Sequence, residues 1–181
     1  MKFLSYLVLS GLLYSEPVNQ SCSCRIAADI PSPAFNDNTL FYIQRTPNHN
    51  AIVYDLNVEN NLVVEKDPVH PYWIRFQEQG QKEELSYLQE HYAYGLRSEK
   101  ITDDQYEMRF VSYRKMSFYL KRSAVSKKFH IYATVNKKSI EVKRVFLQIE
   151  GGSFWFPKVT CAQVTGTEQS TGLEVVEYFK P

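Results

Sequence analysis

Side chains suited to acid–base, nucleophilic or metal chemistry are few in this chain, and they stand apart. The four histidines are His49, His70, His91 and His130, and none belongs to a His-x-His or His-Glu-x-x-His motif. Zinc and copper sites need three or four converging nitrogen and sulfur ligands. The sequence therefore predicts no metal site, and nothing in it calls for a cofactor.

Nucleophilic catalysis finds little support either. Cys161 lies in a strand-like pattern, where a buried cysteine is an inert small hydrophobe, and no Gly-x-Ser-x-Gly motif occurs. We therefore predict a noncatalytic protein. The alternative is a hydrolase acting on an envelope polymer, with His70 or His91 and a carboxylate as acid and base.

A mixture of rings and charges alternates with apolar residues along several predicted strands. Because successive side chains of a strand point to opposite faces, these side chains should lie on the face opposite the apolar one. We expect them to contact a small-molecule or glycan ligand by stacking and bidentate hydrogen bonds. The predicted contacts are Trp73, Arg75, Glu107, Arg109 and Tyr113. The alternative is that these aromatic and charged side chains form cross-strand pairs that only stabilise a solvated sheet face.

Charge is balanced overall and segregated locally. Lys and Arg number 21 against 20 Asp and Glu, for a net charge of +1, which predicts no nucleic-acid partner. Between residues 109 and 145, however, the chain has eleven basic residues and only one acid, Glu141. This stretch indicates an anionic envelope ligand, unless its lysines only protect strand edges and turns.

The N-terminus reads as an export signal. Met1 and Lys2 precede a 12-residue apolar run at 3–14, too short for the roughly 20 residues of a membrane-spanning helix. We predict a signal peptide at 1–21, with a buried N-terminal segment as the alternative. No later run is long enough to span a bilayer, so we expect the mature chain in the periplasm, in the cell envelope or secreted.

The cysteines leave two possibilities open. Cys22 follows the apolar run where a lipoprotein carries its acylated cysteine, although Asn19 is a poor lipobox residue, so lipidation of Cys22 is one possibility. The other is simple secretion without a lipid. One of Cys22 and Cys24 could also bridge to Cys161, which would leave the other thiol for a lipid.

The remaining pattern predicts an all-β, mainly antiparallel domain. Residues 22–38 contain Pro31 and Pro33 and read as a linker or lead-in arm, and 39–181 as a single β domain. Aromatic residues, at 14%, supply a core. About nine strands, forming a meander barrel or a sandwich, are predicted at 40–45, 51–58, 70–77, 106–113, 116–121, 128–135, 139–149, 154–164 and 173–179.

Two local features interrupt this pattern. Val142 and Val145 break the alternation of one strand, which predicts a β-bulge at residues 143–144. Leu85, Leu88 and Tyr92 recur at helical spacing and predict one packed helix over 83–94, ending at Gly95. We expect this helix to close one side or mouth of the sheet, and a ligand or partner to bind at that mouth as well as on the sheet face.

Several blocks of the sequence stand out together. They are FYIQRTPN at 41–48, PVHPYWIR at 68–75, ELSYLQ at 84–89 with YAYG at 92–95, FVSY at 110–113 and VFLQIEGGSFWFP at 145–157. In this order they resemble the blocks of a bacterial family catalogued as domain of unknown function 4833. The resemblance covers residues 38–181. It implies an exported bacterial protein, and it brings no activity or catalytic residues.

Overall fold

The computed structural model describes Cys22, residues 30–152 and residues 157–181. The predicted signal peptide at 1–21 and Cys24 lie outside this part of the chain. Within it, no helix has the length and apolar character needed to cross a membrane.

The described residues are mostly β-structure, with one short helix. The helix, α1, comprises Tyr87–Gln89 and continues as one π-helical turn, Glu90–Tyr94; a 3-10 turn lies at Phe76–Glu78. The strands are β1 Thr39–Arg45, β2 Ala51–Leu56, β3 Val58–Glu59, β4 Leu62–Val63, β5 Val69–Arg75, β6 Gln81–Glu84, β7 Leu96–Thr102, β8 Gln105–Phe110, β9 Phe118–Arg122, β10 Phe129–Val135, β11 Lys138–Gly152, β12 Pro157–Glu168 and β13 Glu174–Phe179.

One large sheet contains all of these strands except the β3–β4 hairpin. Its order is β6-β5-β2-β1-β11-β10-β9-β8-β7, and β12 and β13 extend it from the other edge of β11. Only β1 and β11 pair in parallel among the described strands. The predicted all-β, mainly antiparallel fold with one helix is confirmed.

The long strand β11 serves two partners on one edge. Residues 138–141 pair with β10, and residues 144–147 pair with β1. Between them, on the β12 side, the register shifts from Val142 opposite Gly166 to Arg144 opposite Thr165, which leaves Lys143 as the extra residue. The predicted bulge is confirmed, and it bends the sheet where its partner changes.

Aromatic contacts show how far the sheet curls. Phe41 of β1 stacks on Tyr54 of the neighbouring strand, with ring centroids 4.4 Å apart. The same ring lies 6.2 Å from Phe118 of β9, although β11 and β10 separate these strands in the sheet. One curled sheet, a half-barrel, therefore replaces the predicted choice between a closed barrel and a sandwich.

The alternation in β8, β9 and β10 places side chains as predicted. The apolar residues of one parity are buried against the core, and they are Tyr106, Met108, Phe110, Phe118, Leu120, Phe129, Ile131, Ala133 and Val135. Residues of the other parity, such as Arg109 and Thr134, lie on the outer, convex side and are exposed. Apolar burial on the concave side is thus the main stabilising contribution to the half-barrel.

The helix begins later than predicted. Residues 83 and 84 belong to β6, where Glu83 lies opposite Trp73. Ser86 caps α1, and its side chain and that of Gln89 form a reciprocal capping box. The expected apolar face is also wrong in part, because Leu88 and Tyr92 are 47% and 67% exposed.

Residues 30–36 pack on the convex side of the sheet. Phe35 meets Tyr42 edge to face at 5.8 Å between ring centroids. The side-chain amide of Gln44 donates a 2.6 Å hydrogen bond to the carbonyl of Pro31. This segment covers the outer face of β1, which explains why Tyr42 and Gln44 are buried.

A disulfide joins Cys22 to Cys161 of β12. Their Cα atoms are 5.8 Å apart, and 139 positions separate them in sequence. Because this bond uses the sulfur of Cys22, the same sulfur cannot carry the thioether of a lipid anchor. Of the two cysteines that the sequence allowed to pair with Cys161, the structure has Cys22.

Candidate functional site

A cavity of about 700 Å³ opens beside α1. Its inner wall is formed by buried apolar residues of the half-barrel, including Phe110, Phe118, Val145 and Ala162. Its outer edge, which we call the mouth, is formed by the exposed lining residues Leu88, Tyr92, Ser112, Pro157 and Pro181. The cavity therefore runs from the protein surface into the core.

Strand alternation places one charged side chain, that of Arg45, on the face of β1 that lines the cavity. Ile43 and Arg45 are two residues apart in β1, share a face of the sheet and both line the cavity. Of the described lining residues, Arg45 alone has a charged side chain. Its guanidinium carbon lies 5.6 Å from the centroid of the Tyr94 ring.

The Arg45 side chain is not fully satisfied. It is half-buried, and its Nε is buried without a hydrogen-bond partner among the described residues. A buried donor without a partner costs about 1–3 kcal/mol. An acceptor brought by a ligand would remove this cost, so Arg45 is suited to hold a carboxylate or phosphate.

Core side chains hold the end of α1 against the cavity. The hydroxyl of Tyr54 donates a 2.8 Å hydrogen bond to the carbonyl of Tyr94, and the Trp73 ring meets that of Tyr94 edge to face at 5.4 Å. Burial raises the pKa of the Tyr94 phenol, although Arg45 and Arg75 act in the opposite direction. Tyr94 therefore stays neutral beside the guanidinium.

Gly95 ends the helix as predicted, by close approach. Its N–H donates to the carbonyl of Glu90, and a Cβ at this position would overlap the same carbonyl. The Trp73 indole N–H also donates to Oε1 of Gln89, at 3.4 Å. These contacts fix one wall of the cavity.

Comparison with known proteins adds one finding. The family model described as "Domain of unknown function (DUF4833)" matches residues 41–178. The chain belongs to this family. No curated protein and no solved structure matches it.

The five predicted contact residues of this DUF4833 chain do not form one surface. Tyr113 lines the cavity. Trp73, expected on the exposed face, is 2% exposed and packs in the core, so its predicted position is wrong. Arg75 lies over the Trp73 ring at 4.7 Å and binds Glu83 at 2.7 Å. Trp73 is buried because α1 covers the face of β5 that a lone sheet would leave open.

Glu107 and Arg109 lie elsewhere, on the convex face of β8. The guanidinium of Arg109 and the hydroxyl of Ser117 each donate a 2.6 Å hydrogen bond to Oε1 of Glu107. The Ser117 hydrogen bond first, and Arg109 second, hold the pKa of Glu107 below its ordinary value. This pair is satisfied internally, and it does not line the cavity.

The residues predicted for a hydrolase lie at the surface. His70 Nε2 is 2.7 Å from Glu84 Oε2, and the two side chains are 41% and 62% exposed. His91 stacks on Tyr87 with ring centroids 4.0 Å apart. Neither histidine lines the cavity. In the described part of the chain, no group of three potential metal ligands occurs.

The fourth histidine, His130, belongs to a serine–histidine–glutamate relay that sequence reasoning missed. His130 Nδ1 lies 2.9 Å from Oε1 of Glu141, and its Nε2 lies 3.1 Å from the Ser126 hydroxyl. Its distances match those of a catalytic triad. The relay lies on the convex face, because the flanking Phe129 and Ile131 point into the core.

This relay lacks the surroundings of an acyl-transfer site. Such a site needs free N–H groups to stabilise an oxyanion. The N–H groups of Ser126 and Lys127 donate to the hydroxyl and carbonyl of Ser123, and that of Lys128 donates to Ser126 itself. The relay therefore serves as a set of turn hydrogen bonds, and the cavity is the stronger candidate site.

Arg45 was also missed by sequence reasoning, which expected ligand contact at the mouth beside the helix without naming this residue. The available signal was an arginine at the end of the apolar pattern of residues 40–45, on the same parity as Ile43. That signal is weak, because charged residues often end a strand.

Proposed function

We propose that this protein is a noncatalytic carrier of one amphiphilic molecule, with its apolar tail in the cavity and its acidic head group at Arg45. The observation that carries the proposal is the pairing of an apolar cavity of about 700 Å³ with a single charged side chain among the described residues that line it. Small-molecule sites usually have volumes of about 300–1,000 Å³, apolar walls and a few orienting polar groups.

The free energy of burial in this cavity favours a ligand with a hydrocarbon tail over a glycan. Each CH₂ group removed from water contributes about 0.8 kcal/mol, so a ten-carbon tail contributes about 8 kcal/mol before the cost of association. A glycan would bury many hydroxyls that need partners. The inner wall of Val145, Phe110 and Phe118 offers few.

We also propose an exported location, in the periplasm or cell envelope or outside the cell. The apolar run at 3–14 supports this, and so does the Cys22–Cys161 disulfide, because such bonds persist in oxidising compartments. A carrier of amphiphiles fits these compartments, since an amphiphile must cross water between membranes.

Displacement of a fluorescent fatty acid tests the carrier proposal. We expect the protein to bind a dansyl-labelled undecanoic acid, and unlabelled decanoic acid and decanol to displace it. Arg45→Met should weaken decanoic acid about tenfold or more, since a hydrogen bond to a charged group contributes about 1.5–3 kcal/mol. Binding of decanol should stay unchanged.

Two further variants separate the tail from the head group. Leu147→Trp fills a lining position, so it should abolish binding of both compounds. Arg97→Met removes an exposed arginine outside the lining and serves as the matched control. Absence of fatty-acid binding, or binding that survives Leu147→Trp, would overturn the proposal.

A further inference from the structure

The mouth of the cavity carries a second pattern that the cavity alone does not explain. We infer that the mouth docks on an anionic lipid bilayer, from which the amphiphile passes into the cavity without crossing water. This inference rests on the proposed carrier function, because it assigns the membrane as the source of the ligand.

Exposed apolar groups mark the first part of the pattern. Tyr87, Leu88 and Tyr92 of α1 are 67%, 47% and 67% exposed. Leu88 and Tyr92 also line the cavity, so the exposed and enclosed apolar surfaces are continuous. Tyrosine and leucine side chains suit the boundary between head groups and acyl chains, where tyrosine keeps its hydroxyl in water.

Basic residues mark the second part. Arg114 and Lys115 are exposed and lie in the turn between two cavity-lining residues, Tyr113 and Met116. Neither makes an ion pair among the described residues. Their charges are thus available to anionic head groups.

Three acids near the mouth are held in ion pairs. Glu83 binds Arg75, Glu84 binds His70, and Glu177 binds Lys138. Glu90, at the end of α1, makes no ion pair among the described residues and lies near another acid, Asp67. Arg114 and Lys115 outnumber this one unpaired acid, so the free charge at the mouth is positive, which complements an anionic bilayer and not a neutral one.

Vesicle flotation tests the inference with the full chain. We expect it to float with vesicles of phosphatidylcholine containing 30% phosphatidylglycerol, and much less with pure phosphatidylcholine or at high salt. Every variant keeps the same N-terminal segment, so differences between variants report the mouth.

Two double variants isolate the two parts of the pattern. Arg114→Gln with Lys115→Gln should weaken binding to the anionic vesicles about 25-fold, at about fivefold per charge. Its matched control is Lys127→Gln with Lys143→Gln, which removes two exposed charges elsewhere. Leu88→Ser with Tyr92→Ser should also weaken binding, whereas Leu62→Ser with Val125→Ser removes exposed apolar groups outside the lining and should not.

The outcomes separate the two proposals. Fatty-acid binding in solution without flotation would overturn the docking surface and leave the carrier intact. Flotation that the control pairs weaken as much as the mouth pairs do would also overturn it. Flotation that depends on the mouth without fatty-acid binding would support the docking surface and overturn the carrier.

Discussion

The hydroxyl of Tyr54, deep in the core, donates a 2.8 Å hydrogen bond to the main-chain carbonyl of Tyr94 at the end of α1. Burial raises the pKa of Tyr54 well above its ordinary value, so the phenol stays protonated as a donor. The bond joins the floor of the half-barrel to the helix that forms the mouth of the cavity. The position of α1 therefore depends on the packing of the core.

Replacing Tyr54 with Phe should loosen this helix. The variant leaves the Tyr94 carbonyl without its partner, so the free energy of unfolding should fall by about 1–2 kcal/mol in urea denaturation. Amide exchange should accelerate over residues 87–95. Tyr106→Phe is the control, because Tyr106 is equally buried and its hydroxyl makes no hydrogen bond within the described residues. Equal losses in the two variants would contradict the role of the bond.

The Cys22–Cys161 disulfide should contribute a large part of the free energy of unfolding. It closes a loop of 139 positions, and the chain-entropy model gives about 5 kcal/mol for such a loop. Cys161→Ser should lower the urea midpoint by a corresponding amount, as should reduction of the wild-type protein. Cys24→Ser should keep the wild-type response to reductant. If Cys24→Ser instead abolished that response, a different cysteine pairing would follow.

The Glu177–Lys138 ion pair should make stability depend on acid pH. Hydrogen bonds from Lys138 and Asn136 lower the pKa of Glu177. A carboxyl whose pKa is lower in the folded state stabilises the fold above its unfolded pKa, near 4.5, and loses this contribution as the pH falls through the folded pKa.

A glutamine substitution measures that contribution. Glu177→Gln should be less stable than wild type at pH 7, and the difference should shrink as the pH falls below about 4. Thermal unfolding between pH 3 and pH 7 measures it. Glu174→Gln, at an exposed position of the same strand, should show no such pH-dependent difference. A constant difference for Glu177→Gln across this range would assign its effect to packing.

The Ser126–His130–Glu141 relay should be chemically inert. The N–H groups around Ser126 are engaged, so a fluorophosphonate should not label its hydroxyl under conditions that label a serine hydrolase. Mass spectrometry of the treated protein checks this. Labelling of Ser126 that disappears in His130→Ala would instead support a hydrolase with its active site at this relay.

The alternation of apolar residues determined much of this fold. It assigned Phe110 and Ile131 to the buried side and Arg109 to the other, and the break at Val142 and Val145 located the bulge. These are local consequences of a two-residue period, which every strand expresses in its own sequence.

Strands whose side chains show no two-residue apolar period were not predicted from the sequence. Residues 81–84 (QKEE) and 96–102 (LRSEKIT) form edge strands β6 and β7, whose side chains are mostly exposed on both sides. Their structure comes from pairing with β5 and β8. Polar strands of this kind depend on a neighbour for their hydrogen bonds, so their own residues predict little.

Only the tertiary structure decided where the candidate site lies. Trp73 is buried because α1 packs over it, and Arg45 faces the cavity because β1 pairs in parallel with residues 144–147, a hundred positions later in the chain. Local sequence determined which side chains share a face of a strand. Which face is covered, and which is left open as a cavity, depends on contacts between segments far apart in the chain, and no local period encodes those contacts.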